Sequence, residues 1–291
     1  MTADFNAIRR LLTSGKKTAN KNPLWTRIHE ETCCGILVGR EYQFTEDELH
    51  RLRKHAQSLT GLDPLFDATA VSRLDMAEKV PDEKLATDSV FGQLVVMATA
   101  GKGEIRAGGK AACVPPGAVI SVPFKLLDPG HLRQQRLVVI ENGALMPECH
   151  RIRLPQGWDD CVFVYRGHRE NVRHVQKLID RHPADLLGLF FDFDPAGLNL
   201  ALAVGKGKIF VPIEGLACSD QFLSVSNNPS VHRRQTREMA SLLEKARNTA
   251  CEKLVGWVHL NEVAVMQEHI VSRDIQLSVV DVSVVKVDQS T

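Results

Sequence analysis

Residues 186–201 read LLGLFFDFDPAGLNLA, and they decide the fold prediction. The run LLGLFF is almost continuously apolar, which is typical of a strand buried on both faces of a parallel sheet. Asp192 and Asp194 follow this run one residue apart, so they share a face of an extended segment. Pro195 and Gly197 then predict a sharp turn, with a helix after it.

Similar apolar runs lie on both sides of this stretch and alternate with helical patterns. The predicted strands are RLVVI (136–140), CVFVY (161–165), LLGLFF (186–191) and KIFVPI (208–213). Residues 170–182 have apolar positions at helical spacing, and 233–255 and 258–270 are predicted to be two further helices. Alternation of strands and helices predicts an α/β fold with a parallel sheet flanked by helices.

The remaining sequence predicts two smaller regions before this α/β region. Residues 1–90 are predicted to form a helical, winged-helix-like DNA-binding arm, in which Thr45 and Glu48 make a capping box at the start of a helix. Residues 91–130 contain short apolar runs broken by Gly and Pro, and they predict a small β-rich segment. The α/β domain with C-terminal helices then occupies 131–291.

Composition excludes several classes of protein. The 291 residues carry 36 Lys and Arg against 35 Asp and Glu, which excludes a histone-like tail and an acidic disordered chain. Seven irregularly spaced cysteines without a CxxC pair argue against a disulfide framework and a structural zinc site. We find no secretory signal and no apolar run approaching 18 residues, so we expect a cytoplasmic protein without a membrane partner.

Three acidic residues follow the ends of predicted strands. Glu141 follows LVVI, and Asp192 and Asp194 follow LLGLFF. Ligands of parallel α/β sheets bind at the carboxyl ends of the strands, and clustered carboxylates repel one another unless a cation neutralises them. The pattern predicts a Mg²⁺ site, with Mn²⁺ as an alternative ion, that could activate water for phosphodiester cleavage. The alternative is that these are surface acids that cap helices.

Two stretches resemble the acidic motifs of the Toprim domain, which occurs in type IA and type II topoisomerases, primases and several nucleases. They are VVIENGAL (138–145) and LLGLFFDFDPAGLNLA (186–201). The acidic strand end followed by D-x-D-P-x-G is most similar to the topoisomerase VI A subunit and its meiotic relatives. VFVYRGHRENVRHVQKLI (162–179) is similar to the nuclease subunit of the Wadjet plasmid-defence systems. The resemblance covers about 133–215, and a weaker similarity includes Met266-Gln267-Glu268.

The resemblance implies a Toprim-type, Mg²⁺-dependent DNA endonuclease that hydrolyses phosphodiester bonds. Glu141, Asp192 and Asp194 would bind the metal, while Asn142 and Gly143 would shape the turn beside it. It further implies a homodimer that cuts both strands, and an SMC-like motor complex that delivers DNA during plasmid or phage defence. These partner predictions depend on family analogy alone.

Two other functions remain open from the residues. A topoisomerase VI A-like transesterase needs a tyrosine nucleophile, and Tyr42 is the positional candidate because Tyr165 lies within a predicted strand. Ala196 stands where topoisomerase VI relatives often carry Tyr, which puts that assignment in doubt. The second alternative is a non-catalytic DNA-binding or assembly subunit that retains an idle acidic site.

One histidine and a set of arginines complete the predicted site. His168 follows the second strand and could transfer a proton or contact a phosphate, although a solvated loop histidine is the simpler interpretation. Arginines that could contact DNA backbone phosphates are Arg166, Arg169, Arg173, Arg233, Arg234 and Arg237. They form two clusters, at 166–173 and at 233–237. A single cluster of this kind is more often a helix face exposed to solvent.

Overall fold

In the computed structural model the chain divides into two units, Met1–Val90 and Phe91–Thr291. The structure describes residues 2–66, 78, 93–167, 171–212 and 220–282. Within those residues, no helix is long and apolar enough to cross a membrane.

Helices and short antiparallel strands alternate in the first unit. Its elements are α1 (Thr2–Ser14), β1 (Thr18–Asn20), α2 (Pro23–Thr32), β2 (Ile36–Val38), β3 (Glu41–Gln43) and α3 (Glu46–Thr60). The three strands form a sheet in the order β1–β3–β2. The apolar faces of the helices pack together around fully buried side chains such as Phe5, Ile28 and Leu52.

The predicted capping box at the start of α3 is confirmed. The Glu48 backbone N–H donates to Thr45 Oγ1 at 3.3 Å, and the Thr45 N–H donates to Glu48 Oε2 at 2.8 Å. Gly61 ends the helix with a φ of 75°, a left-handed conformation that glycine adopts without strain. Residues close in sequence therefore fix both ends of this helix.

A large sheet and eight helices make up the described part of the second unit. Its elements before the acidic turn are β4 (Leu94–Ala100), β5 (Ile105–Ala107), β6 (Lys110–Ala112), β7 (Ile120–Pro123), α4 (Pro129–Leu132), β8 (Arg136–Ile140), β9 (Cys161–Tyr165), α5 (Asn171–Arg181) and β10 (Leu187–Phe190). The elements after it are α6 (Pro195–Ala203), β11 (Lys208–Val211), α7 (Asp220–Ser226), α8 (Pro229–Arg234), α9 (Thr236–Ala246), α10 (Glu252–Leu260), α11 (Gln267–Ser272) and β12 (Ser278–Asp281).

The α/β prediction is confirmed, but the sheet is mixed and not wholly parallel. Its seven strands lie in the order β12–β11–β10–β8–β9–β4–β7. Strands β9, β8, β10 and β11 are mutually parallel, whereas β12, β4 and β7 pair antiparallel at the two edges. Of the four described strands contributed by 91–130, β4 and β7 therefore belong to this sheet, whereas β5 and β6 form a separate two-stranded sheet. The local apolar runs could not reveal this, because β7 joins the sheet through β4, and the partner of β4, β9, lies some sixty residues away in the chain.

The central strands are buried, as their apolar runs predict. Every residue of β10 is buried, and Gly188 has no room for a side chain. A Cβ there would lie 2.6 Å from the Phe210 ring and 3.0 Å from Trp158, so only glycine fits between the sheet and these rings. Close packing of this kind holds the carboxyl ends of β8 and β10 in a fixed register.

The C-terminal helices differ from their prediction. Residues 233–255 do not form one helix but lie across α8, α9 and α10. The predicted helix over 258–270 is wrong, because Val265 forms a β-bridge with Phe193 and α11 begins only at Gln267. The pairing of Val265 with Phe193 interrupts the helix that the local spacing of apolar residues predicted. It also brings Gln267 to the end of β10.

Candidate acidic site at the carboxyl ends of the central strands

Two adjacent parallel strands place Glu141 and Asp192 at the same edge of the sheet. Phe190 in β10 is in register with Ile140 in β8, so the residues that follow both strands emerge together. The Glu141 N–H donates to Phe190 O at 3.4 Å, which extends the pairing by one residue. The Asp192 N–H in turn points to Glu141 Oε2 at 3.4 Å. The structure thus brings these two predicted carboxylates together.

Gln267 joins the two strand ends from the side. Its side chain is completely buried. Its Oε1 accepts from the Asn142 N–H at 3.0 Å, and its Nε2 donates to Phe190 O at 2.6 Å. Its backbone N–H donates to Asp192 Oδ1 at 2.9 Å. One glutamine therefore satisfies buried backbone groups after both strands and orients the Asp192 carboxylate.

The carboxyl group of Asp192 is strongly perturbed. Burial raises its pKa to about 7, and the negative charges of Glu141, Asp194 and Glu268 act in the same direction. The hydrogen bond from the Gln267 N–H opposes this rise. A carboxyl whose pKa lies near neutrality, among other carboxylates, is typical of functional sites.

Burial also raises the pKa of Glu141, and the charge of Asp194 contributes in the same direction. The Asp192 N–H and the positive charge of Arg166 act against this rise. Arg166 follows β9, and its backbone N–H donates to Ile140 O at 2.8 Å. Its side-chain Nε is buried and has no hydrogen-bond partner within the described residues. The Arg166 charge therefore acts on this site while one of its donors stays unsatisfied.

Asp194 has a helix-capping role in this structure. Its Oδ1 accepts from the Gly197 N–H and its Oδ2 from Gln235 Nε2, both at 2.7 Å. The side chain is 3% exposed and begins α6 as its N-cap. Gly197 is required there, because a Cβ would lie 2.2 Å from Asp192 O. Asp194 therefore caps a helix, as the alternative holds, but it is buried and is not a surface acid. Its role as a metal ligand stays a prediction.

The donor chemistry of the site fits a hard divalent cation. Asp192 Oδ2 and Glu141 Oε1 accept no hydrogen bond from the described residues, and Glu268 lies near enough to raise the pKa of Asp192. Across the described ranges, no three His, Cys, Asp or Glu side chains are already grouped around one metal position. Mg²⁺ sites do not need such a cage, since proteins commonly bind this ion through one or two carboxylates, waters and substrate phosphates.

Asn142 and Gly143 shape the turn that follows β8. Asn142 Oδ1 accepts from the Ala144 N–H at 2.9 Å, and Asn142 Nδ2 donates to the Glu268 carboxylate. Gly143 lies beneath the Tyr165 ring, which a Cβ would approach to 3.2 Å. Both residues therefore hold the chain close beside Glu141.

The remaining predicted residues have different outcomes. His168 and Arg169 lie outside the described residues. The other predicted DNA-contacting arginines, apart from Arg166, are exposed on helices: Arg173 on α5, Arg233 and Arg234 on α8, and Arg237 on α9. The Arg233 guanidinium makes an ion pair with Glu262 at 2.5 Å, so it is already partnered.

Tyr42 is a core side chain of the first unit. It is 3% exposed, its ring packs against His29 at 4.9 Å, and its hydroxyl lies 3.4 Å from Thr26 Oγ1. A nucleophile must reach a bound phosphate, and the Tyr42 hydroxyl is enclosed by its own unit. This burial does not favour a transesterase that uses Tyr42.

Sequence reasoning assigned no role at this site to Gln267, Gln235 or Glu268. Glutamines carry no charge pattern or spacing signal, and the first two act through hydrogen bonds to residues that are distant in the chain. The weak similarity around Met266-Gln267-Glu268 was the only available signal, and it named no role for these residues.

Residues 92–279 match the family model described as Domain of unknown function (DUF7281), so the chain belongs to the DUF7281 family. The matched span starts just before β4 and ends within β12, and it includes the whole acidic site. No curated protein matches the chain.

Proposed function

We propose that the chain is a Toprim-type, Mg²⁺-dependent endonuclease that hydrolyses DNA phosphodiester bonds. The observation that carries this proposal is the convergence of Glu141 and Asp192 at the ends of two adjacent parallel strands. There the pKa of Asp192 is raised to about 7 by burial and by neighbouring carboxylates. A cation bound between these groups would relieve their repulsion and keep both of them ionised.

Each residue of the site has a role in this proposal. Glu141 and Asp192 would hold Mg²⁺, with Glu268 near enough to act on the same ion or on its waters. Gln267 fixes the orientation of Asp192, and Asp194 holds the turn that presents it. When bound, Mg²⁺ supplies water activation and stabilises the charge that develops on the phosphate.

Arg166 is suited to contact a DNA phosphate at this site. Its charge acts on Glu141, and its buried Nε has no partner among the described residues. A guanidinium binds phosphate oxygens through paired, charge-assisted hydrogen bonds, so a bound phosphate would satisfy this donor. The exposed Arg173, Arg234 and Arg237 would add contacts that do not depend on DNA sequence.

The family resemblance supports a nuclease among the reactions that a Mg²⁺ site of this kind can catalyse. The chain carries an acidic strand end followed by D-x-D-P-x-G, which resembles the topoisomerase VI A subunit, and its residues 162–179 resemble the Wadjet nuclease subunit. Because Tyr42 is buried, we favour water over tyrosine as the attacking group. A homodimer and an SMC-like motor that delivers DNA are proposed on this resemblance alone.

A plasmid-cleavage assay tests the proposal. The purified full chain would be incubated with supercoiled plasmid in Mg²⁺, Mn²⁺ or EDTA and then treated with protease before electrophoresis. Asp192→Asn keeps the size of the side chain but removes its charge. The matched control is Asp185→Asn, which changes an exposed carboxylate just before the same strand.

We expect metal-dependent nicking or linearisation by the wild type and by Asp185→Asn. Asp192→Asn should lose more than the roughly 100-fold that removal of an outer-shell partner costs at metal sites. Equal cleavage by Asp192→Asn, or cleavage in EDTA, would contradict the assignment. Cleavage released only by protease would indicate a covalent tyrosine intermediate, and no cleavage at all would contradict a self-sufficient nuclease.

A further inference from the structure

A cavity separate from the acidic site lies in the same unit, between α5 and residues 124–133. Its volume is about 250 Å³. Its apolar walls come from Phe124, Leu127, Leu132 and Leu178. Small-molecule sites typically measure about 300 Å³ or more, so this cavity suits a compact ligand or the terminal group of a larger one.

Four cationic side chains surround these apolar walls. They are Lys125, Arg133, Lys177 and Arg181. All four are exposed at their ends, and no carboxylate lines the cavity. Within the described residues none of the four forms an ion pair. The cavity thus combines apolar walls with cations that have no counter-ions. It favours a ligand that is anionic at one end and apolar at the other.

The four cations are not explained by the carboxyl end of α5, where positive side chains commonly stabilise the helix dipole. The last carbonyls of a helix attract cations, and Arg181 lies in that position. Lys206 already serves this purpose, since its Nζ donates to Asp180 O and to His182 O, both at 2.8 Å. Arg181 and Lys177 are therefore additional cations beside a helix end that is already neutralised.

His182 lies in the cavity wall, and its pKa responds to the positive charges around it. It is 3% exposed, and its Nε2 lies 3.0 Å from Gln135 O. Burial lowers its pKa, and the positive charges of Lys206 and Arg133 lower it further. His182 thus contributes a neutral ring to the wall, and the charge of the cavity comes from the four cations.

Phe124 gives the cavity an aromatic wall. Its ring lies 4.8 Å from the His174 ring, and Lys177 Nζ lies 5.9 Å from its centre. An aromatic wall, leucine side chains and a ring of cations together match a flat base joined to a phosphate. We propose that this cavity binds a nucleoside 5′-phosphate, either as a free mononucleotide or as the phosphorylated end of a DNA strand.

The site is independent of the proposed nuclease chemistry. Arg133 and His182 come just before β8 and β10, at the opposite end of those strands from Glu141 and Asp192. Binding can therefore be measured in EDTA, where the acidic site cannot recruit a nucleotide through a metal ion. Loss of plasmid cleavage would leave this proposal intact, and failure of nucleotide binding would leave the nuclease proposal intact.

Isothermal titration calorimetry on the full chain in EDTA tests the site. The ligands are deoxyadenosine 5′-monophosphate, deoxyadenosine, inorganic phosphate, and a short single-stranded oligonucleotide with either a 5′-phosphate or a 5′-hydroxyl. The variant is Arg133→Gln with Arg181→Gln. The control is Arg247→Gln, which removes an exposed guanidinium at the end of α9. Urea midpoints of all proteins establish that each variant is folded.

We expect the mononucleotide, the 5′-phosphorylated oligonucleotide, or both, to bind at least about tenfold more tightly than deoxyadenosine or phosphate alone. The ligand that binds identifies the source of the nucleotide. The double variant should weaken this binding by about tenfold or more, and Arg247→Gln should not. Three outcomes would overturn the proposal: no binding of either nucleotide form, equal binding of inorganic phosphate, or unchanged binding by the folded double variant.

Discussion

The acidic site and the cationic cavity lie in one unit, and each gathers charges of a single sign, but they differ in burial. Asp192 and Glu141 are largely enclosed, and their pKa values rise because burial disfavours the ionised form. The cations of the cavity have exposed ends, where water solvates them. Like charges therefore perturb the folded state at the acidic site and leave it almost undisturbed at the cavity.

Because of this difference in burial, the two sites differ in how their stability depends on a bound ligand. The acidic site binds an extra proton near neutral pH unless a cation replaces it, so ligand binding and folding are coupled there. The exposed cations of the cavity are solvated without a ligand, so the empty cavity costs little stability. Three measurements of stability test this contrast.

The largest expected effect follows replacement of the residue that organises the acidic site. Gln267→Leu keeps a similar volume but removes the acceptor for the Asn142 N–H and the donor to Phe190 O. The Asn142 N–H is left unsatisfied, which costs about 1–3 kcal/mol, whereas Phe190 O loses the shorter of its two hydrogen bonds, worth about 1 kcal/mol, and keeps the one from the Glu141 N–H. We therefore expect a loss of about 3 kcal/mol in the free energy of unfolding. Urea denaturation would measure it. Gln176→Leu, at an exposed position of α5, should change stability by less than about 0.5 kcal/mol. Similar values for the two variants would contradict the organising role of Gln267.

The next effect concerns the pH dependence of stability in EDTA. The pKa of Asp192 is about 7 in the folded chain against an ordinary value of 3.8, so the folded state holds a proton that the unfolded state releases. The free energy of unfolding should therefore fall as pH rises from about 4 to about 7. We expect a loss of about 2 kcal/mol, a figure that allows for the partial exposure of the group.

Asp192→Asn removes the titrating group and should flatten this slope, whereas Asp185→Asn should not. Adding Mg²⁺ at pH 7.5 should raise the stability of the wild type and of Asp185→Asn, but not of Asp192→Asn, by about 2.7 kcal/mol at a concentration 100 times its Kd. Parallel pH curves for Asp192→Asn and the wild type would show that Asp192 does not titrate in this range.

The smallest effect is expected at the cavity. Arg133→Gln with Arg181→Gln removes two exposed cations that have no ion-pair partner among the described residues. The free energy of unfolding should change by less than about 0.5 kcal/mol, even though nucleotide binding is lost. A destabilisation as large as that of Gln267→Leu would instead assign these arginines a structural role and remove the contrast between the two sites.

The sequence was most informative where one strand or one helix end carries the whole signal. The four buried runs predicted the parallel strands β8 to β11, and the capping box predicted the start of α3. Such features depend on residues within a few positions of one another, which local rules describe well. The sequence also predicted that Glu141 and Asp192 follow strands of one parallel sheet and so lie at the same edge. That β8 and β10 are neighbours, which brings the two residues together, is a property of the tertiary structure.

Sequence reasoning failed where contacts join distant segments. Antiparallel pairing of β4 with β9 made the sheet mixed, and the Phe193–Val265 bridge replaced a predicted helix. Gln235 and Gln267 reached the acidic site through the same long-range contacts. Neither glutamine has a pattern around it that would have drawn attention to it.

The sequence by itself determined the α/β class, the positions of the buried strands along the chain and the position of the acidic turn, because hydrophobic period and turn chemistry are local properties. Only the tertiary structure decided which carboxylates face one another, which one caps a helix, and which cations surround a cavity. Those outcomes depend on burial and on the register between distant strands, and burial sets the energy of a charged group.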